Sequence, residues 1–547
     1  MSANLNGGQA GHHRDPAVLN ENESQSQTTP SSEKDAAAAA AAAADGSSSS
    51  GPDTEKQSNT APEPNAMQWD GPGDPENPKN FSLFKRTYIT VMLALLVFMV
   101  AFASSVMSPT TEKLAEEFHL SSEVCILATA LFVLGFAFGP LIFGPASEVL
   151  GRKQPLAVGL FLFGIFTIPV AVAKNAATVF VCRFLTGTFG SSSLAIVGGT
   201  LADIWEPLSR GVAVAGFASA TFLGPVMGPI VGGFVTKSYL GWRWTQWLTL
   251  IPTMVLLAIF YVTVPETFAP VLLQKRAKRR GLDTGDAGKK GIDWGNLVRV
   301  YLFRPWIMIA LEPILALITL YIGFVYGFLY LCFEAYPIAF AQERGWSLGV
   351  AALPFLAITV GVLVAVVIII VHTKTRMKRK VEQFGDVPEE RLVPMMIGSI
   401  LMPAGMFWFA CEFLWELEPN RLVFRLMVAD CVCLALFPGT SNPNISWVPQ
   451  VISGSFIGCG ILLVFLQGLN YLIDVYKITA NSAIAINAMF RGLLGAGFPM
   501  FANYMFQRLG VPWAMSLLAF LNVALIPVPF LFYIYGARIR KWSKFTP

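Results

Sequence analysis

Twelve stretches of about twenty apolar residues, separated by short polar loops, dominate this chain. A bilayer core about 30 Å thick needs about 20 apolar residues per helical crossing. Backbone amides find no water there and must bond within the helix. The stretches lie near 87–107, 125–143, 156–173, 178–202, 212–235 and 244–263, then near 305–330, 348–371, 394–411, 448–470, 480–503 and 511–535. A basic connector, 264–304, separates the two sets. This order predicts an all-α integral membrane protein of 12 transmembrane helices, built as two six-helix bundles with pseudo-twofold symmetry. Residues 81–263 form the N-terminal bundle and 305–535 the C-terminal one. Composition agrees, since 14% charged residues against 54% hydrophobic ones cannot cover a soluble chain of 547 residues. A net charge of +4 is too mild for a nucleic-acid binder.

Residues 1–80 differ in kind. An alanine run from Ala36 to Ala44, the serines Ser47–Ser50 and many polar residues predict a disordered tail. No basic stretch followed by a short apolar one opens the chain, so no cleaved leader is expected and the tail stays cytosolic. Cations crowd alternate loops: Arg152 and Lys153, the connector, the run Lys374–Lys380, and the terminal Arg538, Arg540, Lys541 and Lys544 within the basic tail 536–547. By the positive-inside bias, both termini are cytosolic. The run 422–438 is apolar but holds Arg425 and Asp430. A thirteenth crossing there would put the basic terminus outside, so 411–440 reads as an outer-side insertion, lying along the interface or poorly ordered.

Three motifs carry mechanism. After span two comes Gly144-Pro-Ala-Ser-Glu148-Val-Leu-Gly151-Arg152-Lys153, an acid, a glycine turn and two cations, which is the make-up of a charge latch. Topology alone would explain the cations but not Glu148 or the glycines. Arg183 lies inside span four, where a guanidinium requires a partner, a wet cavity or a snorkelling path to the interface. Span five contains Gly224-Pro225-Val-Met-Gly228-Pro229-Ile-Val-Gly232-Gly233. Glycines four apart line one helix face and allow close approach, and the prolines each delete a backbone donor.

The loop after span two resembles the Gly-x-x-x-Asp/Glu-x-x-Gly-Arg-Lys loop of the major facilitator superfamily. The resemblance implies a relay from Glu148 and Arg152 to an acid ending span four, the place of Asp203. It also links the Arg183-x-x-x-Gly187 run to proton coupling. The span-five run resembles the signature of the superfamily's drug/proton antiporters, thought to seal the path against proton leak. Asp74-Pro-Glu-Asn-Pro-Lys-Asn80, Pro265-Glu-Thr-Phe-Ala-Pro270, Phe333-Glu-Ala-Tyr-Pro337, Asn470-Tyr-Leu-Ile-Asp474 and Phe490-Arg-Gly-Leu-Leu-Gly-Ala-Gly-Phe-Pro499 are similar to those of the fungal twelve-span drug:proton antiporters, which include azole-resistance pumps and polyamine exporters. In that family span nine runs almost directly into a segment like Ser441–Trp447, so the insertion has the character of an unspliced intron. The second half's loop, Thr373–Pro394, carries no clean copy of the latch motif.

In this reading small apolar or cationic compounds meet the protein near the bilayer midplane, exchanged for protons. Tyr321, Tyr326 and Tyr330 of span seven, with Phe217, Gln467, Asn470 and Asn487, are the candidate lining, aromatic faces suiting flat or cationic ligands. Proton coupling falls to Arg183, Glu334, Glu312 or Arg491, since an apolar site favours a neutral, protonated acid. No phosphate-binding loop, nucleophile–base set or paired acids occur, so neither an enzyme nor an ATP-driven pump is expected. The scattered His12, His13, His119 and His372, and seven cysteines without a CxxC pair, give no metal site and no disulfide. The partners are small molecules, protons and the bilayer; no cofactor is needed, and a monomer in the plasma membrane is expected. A nutrient importer or facilitator and a non-transporting sensor stay open as rivals.

Overall fold

The computed structural model describes residues 69–71, 73–280, 303–385, 387–410 and 446–545. Most of the amino-terminal tail, the middle of the connector and the insertion at 411–440 lie outside the described residues. The described chain is helical throughout, without strands.

Spans one to six are Leu83–Ser105, Leu127–Val149, Lys153–Ala171, Ala176–Ile204, Pro207–Lys237 and Trp244–Thr263. Local chemistry sets their ends. Ser82 caps span one by accepting the Lys85 amide at 3.3 Å, and Asn175 caps span four through the Thr178 amide at 2.8 Å. Pro207 opens span five, where a missing amide costs nothing.

Spans eight to ten are Phe355–His372, Leu392–Ala410 and Val448–Tyr476. Span seven departs from its expected place. A short helix, Arg304–Leu311, precedes it, Glu312 is extended, and the span proper is Pro313–Pro337. A residue before proline is driven out of helical geometry, so the apolar run from 305 breaks at Glu312. The last apolar stretch, Ala480 to Arg540, is 61 residues of nearly continuous helix, interrupted at Ile526. At 1.5 Å per residue that is roughly 90 Å, far beyond one bilayer. Gly510, at φ 74° and ψ 162°, breaks it into spans eleven and twelve. Among the described residues eleven apolar helices thus make twelve crossings, as the sequence pattern requires.

Spans one, seven and ten are the most enclosed. Span three is peripheral: Val158, Phe161, Ile165 and Ile168, spaced three to four apart, are exposed as a stripe facing lipid. Ala215, Ala218, Phe222 and Val226 of span five, with Ala130 and Val133 of span two, join the core of the second bundle. The seam between the bundles is therefore apolar and closely packed.

Candidate functional site

The latch is assembled at the end of the bundle that carries most of the cations. Gly151 adopts φ +89°, a left-handed turn open to glycine, and a Cβ there would also strike the Glu266 carboxylate at 2.5 Å. That turn sends Arg152 back across the bundle. Its Nε donates to Asp203 at 3.0 Å, its Nη1 donates to Ser147 at 2.9 Å, and its guanidinium lies 4.5 Å from the Phe268 ring centre. The expected pairing of Arg152 with Asp203 is thus present. Lys153 places its ammonium 4.9 Å from the Tyr261 ring. Glu148 does not join this pair. Its carboxylate accepts from the Asn481 amide group at the start of span eleven, so it ties the two bundles together.

Glu266 is a contact of the latch that sequence reasoning passed over. Its Oε1 accepts the amides of Arg152, Thr267 and Phe268 at 2.8–3.0 Å, and its Oε2 accepts that of Lys153 at 3.1 Å. It holds the latch backbone to the end of span six. The run Pro265–Pro270 was the available signal, but nothing in it says which loop the acid reaches.

The second bundle repeats the clamp. Arg391, just before span nine, donates to Asp474 at the end of span ten at 2.9 Å, as Arg152 before span three does to Asp203 at the end of span four. Arg376 donates to Glu390 at 2.9 Å, and Arg540 pairs with Glu389 at 2.6 Å. The pseudo-twofold relation is chemical here even though the motif's wording is lost.

Arg183 does not snorkel. It is fully buried, donating from Nε to Ala128 O at 2.8 Å, Nη1 to Ala103 O at 2.9 Å and Nη2 to Ser104 O at 3.2 Å, with Phe132 stacked 4.2 Å away. Ala103 and Ser104 belong to the last turn of span one, whose carbonyls lack helical donors and carry the negative end of the helix dipole. That chemistry lets a guanidinium sit in the core without an acid.

Span five shows why its prolines come in a pair. Pro229 lacks the amide that would bond the carbonyl of Pro225, four residues earlier, and Ser105 of span one fills the gap, its hydroxyl donating to that carbonyl at 2.7 Å. A Cβ on Gly224 would lie 2.7 Å from Ala101 Cβ and Phe102 N, while Gly228 and Gly232 face Ser105 and Val106 as closely. Gly233 faces the other way, where a Cβ would lie 3.0 Å from Leu348 O and Gly349 Cα ahead of span eight. The helix itself stays continuous from Pro207 to Lys237 through both prolines.

At the centre, the Ser104 hydroxyl lies 2.8 Å from that of Tyr330, which lies 3.4 Å from that of Tyr326. Arg491 sits 5.0 Å from the Tyr326 ring and 5.1 Å from Phe465. Phe222 of span five meets Phe465 edge-on at 4.8 Å. Phe222, Phe465 and Ser104 were not anticipated; many phenylalanines in the spans look alike until packing selects among them. Tyr321 and Gln467 are buried nearby, and Asn487 donates weakly to Thr319 at 3.4 Å. Phe217 packs instead against the first bundle's own core, and Asn470 is half-buried. Two cavities, of about 670 and 410 Å³, open at the basic end and share Thr373; neither is lined by these residues.

The two candidate acids of span seven part company. Glu312 is saturated, accepting from Tyr476 at 3.1 Å, Ser543 at 2.8 Å and the Lys544 amide at 3.1 Å, and so fastens the carboxy-terminal tail. Glu334 is half-buried, and among the described residues its carboxylate has no hydrogen bond or ion pair.

Before span one, Asp74 accepts from Arg276 of the helix Ala269–Arg279 and from the amides of Asp70 and Glu76, and Arg280 grips Asp70 through two bonds of 3.0 and 2.6 Å. The Arg276 bond, then the Glu76 amide, pull the Asp74 carboxyl down to about 2. A carboxyl held low in the folded state lends its stability fully above the ordinary range near 3.8 and loses it as pH falls toward 2. Hydrogen-exchange protection of residues 269–279 is therefore expected to hold from pH 7 to 5 and to fall below pH 4. Arg276→Gln should lower it already at pH 7; equal protection in the variant would contradict this.

Two helical bundles, clamped alike at one end and meeting along an apolar seam, define a membrane transporter of the two-lobed kind. The family model of the Major Facilitator Superfamily matches residues 93–413, more than half the chain, and the chain belongs to that superfamily. It is 66% identical over 481 residues to the MFS-type transporter traF of Penicillium crustosum, covering 88% of this chain and 93% of that one. It is 48% identical to the citrinin biosynthesis cluster MFS transporter mrr1 of Monascus ruber, covering 88% and 92%. The proton:xylose symporter XylE of E. coli shares the fold, with a TM-score of 0.56 at 16% identity over 84% of this chain and 96% of that one. The protein is a multi-pass membrane transporter, not an enzyme.

Proposed function

We propose that this transporter exports small, largely apolar organic compounds across the plasma membrane in exchange for protons, as a monomer with both termini in the cytosol. The observation that carries the reading is the span-five seam. Gly224, Gly228 and Gly232 lock span five to span one while Gly233 abuts the second bundle, so one end of the route is shut by backbone contact while cavities open at the basic, cytosolic end. Such a seam suits an exchanger, which has to keep protons from slipping past its cargo. Relatives named for a citrinin biosynthesis cluster favour a biosynthetic or foreign small molecule over a nutrient.

Glu334 is the proton carrier in this reading. It lies within span seven with no fixed partner among the described residues, whereas Glu148, Asp203 and Glu312 are engaged by donors. In vesicles containing the purified full-length chain, an outward-directed substrate gradient should drive proton movement, and an imposed pH step should drive substrate uphill. Glu334→Gln is expected to reduce the pH-driven component more than tenfold while leaving downhill exchange of substrate. Unchanged uphill transport in that variant would remove Glu334 from the role.

A further inference from the structure

The middle of the molecule holds positive charge without an acid to answer it. Arg491 has 9% of its surface exposed, and among the described residues it makes no hydrogen bond and no ion pair. Its neighbours are the faces of Tyr326 and Phe465, at 5.0 and 5.1 Å. Arg183, the other buried arginine of the core, spends its donors on carbonyls and meets no carboxylate. Of the acids in or beside the spans, Glu148, Asp203, Glu312 and Asp474 are each bound by donors. Glu334 stands eight residues from Tyr326 along span seven, about 12 Å by helical rise.

A guanidinium held nine-tenths buried within the spans without a hydrogen bond is costly, and a charge kept inside the membrane marks a path for substrate or ions. The surroundings describe that ligand. The rings of Tyr326 and Phe465, stacked 6.3 Å apart, both adjoin the cation on one side, and Phe222 from the first bundle closes on Phe465. One turn before Arg491, the Asn487 amide oxygen is buried with no donor. The cavity at the basic end repeats the sign: Arg210, Lys378, Arg391 and Lys477 line it against Glu382 and Asp474. Asp474 is already bonded to Arg391, and Glu382 lies 3.8 Å from Lys378. A cation entering here would be repelled at the mouth and again at the centre, whereas an anion would be drawn inward.

We infer that the cargo is an aromatic organic anion. Its carboxylate or sulfonate pairs with Arg491 in the planar, two-pronged geometry a guanidinium favours, and its ring stacks against Tyr326 and Phe465. Asn487 accepts from a hydroxyl or amide on the same ligand. This rests on the export reading above and replaces the cationic cargo expected from sequence.

The test uses two dyes built on one ring system, the anion fluorescein and the cation rhodamine 6G, in vesicles of neutral lipid containing the full-length chain. Under an imposed pH step, fluorescein should be transported at least tenfold faster than rhodamine 6G. Arg491→Gln should lower fluorescein transport at least tenfold, and Arg491→Lys should lower it less. Fluorescence quenching of fluorescein by detergent-solubilised protein should weaken in the same order, which separates lost binding from lost folding. Transport favouring rhodamine 6G, full fluorescein transport by Arg491→Gln, or movement of neither dye would each overturn the assignment. Fluorescein movement indifferent to the pH step would leave the cargo standing and remove the exchange mechanism; pH-driven rhodamine 6G movement would do the reverse.

Discussion

Leucine at Gly228 is expected to abolish proton-driven transport, with uphill flux falling at least a hundredfold. A side chain there would drive into Ser105 and Val106 of span one, and neither can retreat, because Ser105 is held by the orphan carbonyl of Pro225 and Val106 is fully buried. Overpacking a close helix contact typically costs about 1–3 kcal/mol even in forgiving cores. In the proposed exchange the displaced element is also the one that shuts the route. The same variant should leak protons, visible as faster decay of a pH gradient in substrate-free vesicles. Gly216, on the same helix with nothing within 4 Å of a Cβ, supplies the control: Gly216→Ala should transport normally. A tight, fully active Gly228→Leu protein would remove the seam from the mechanism.

Arg183→Leu is expected to lower stability by about 3 kcal/mol or more, with little protein reaching the membrane folded. The substitution takes three charged donors from buried carbonyls, two of them in the unbonded last turn of span one, and each buried acceptor left without a donor costs about 1–3 kcal/mol. Relief from burying the charge offsets part of that loss. Arg183→Lys should recover part of the stability, since one ammonium reaches some of those carbonyls. Thermal unfolding of the purified variants in detergent measures the difference. An unchanged midpoint for Arg183→Leu would mean that these bonds do not hold span one to spans two and four.

Apolar length made the twelve crossings legible, and the places it misjudged follow from local backbone chemistry. A run such as 305–330 cannot reveal that Pro313 throws Glu312 out of the helix, because hydropathy is blind to the residue before a proline. The division of 480–540 into two spans, by contrast, was legible from apolar length, and Gly510 is where the chain makes it. The clamp of Arg152 on Asp203 was readable because the loop has a recurring wording. Its counterpart, Arg391 on Asp474, was not, since two charged residues 83 positions apart carry no local signal of pairing. Glu266 was missed for the same reason. At the centre, sequence could nominate tyrosines from span seven, but packing chose Phe222 and Phe465 to stand with them.

Where the two lobes touch near the head of span eight, bare main chain meets bare main chain: Gly233 on one side, Gly349 on the other. The Phe234 ring lies against Gly349, where a Cβ would come within 2.7 Å of it, so the bare glycine is what leaves room for that ring. Spans one and five, pinned together by the Ser105 hydroxyl, would tilt as a single stave over that close contact. A methyl group on Gly349 would therefore act as grit in a bearing, forcing the Phe234 ring or the lobe behind it to shift.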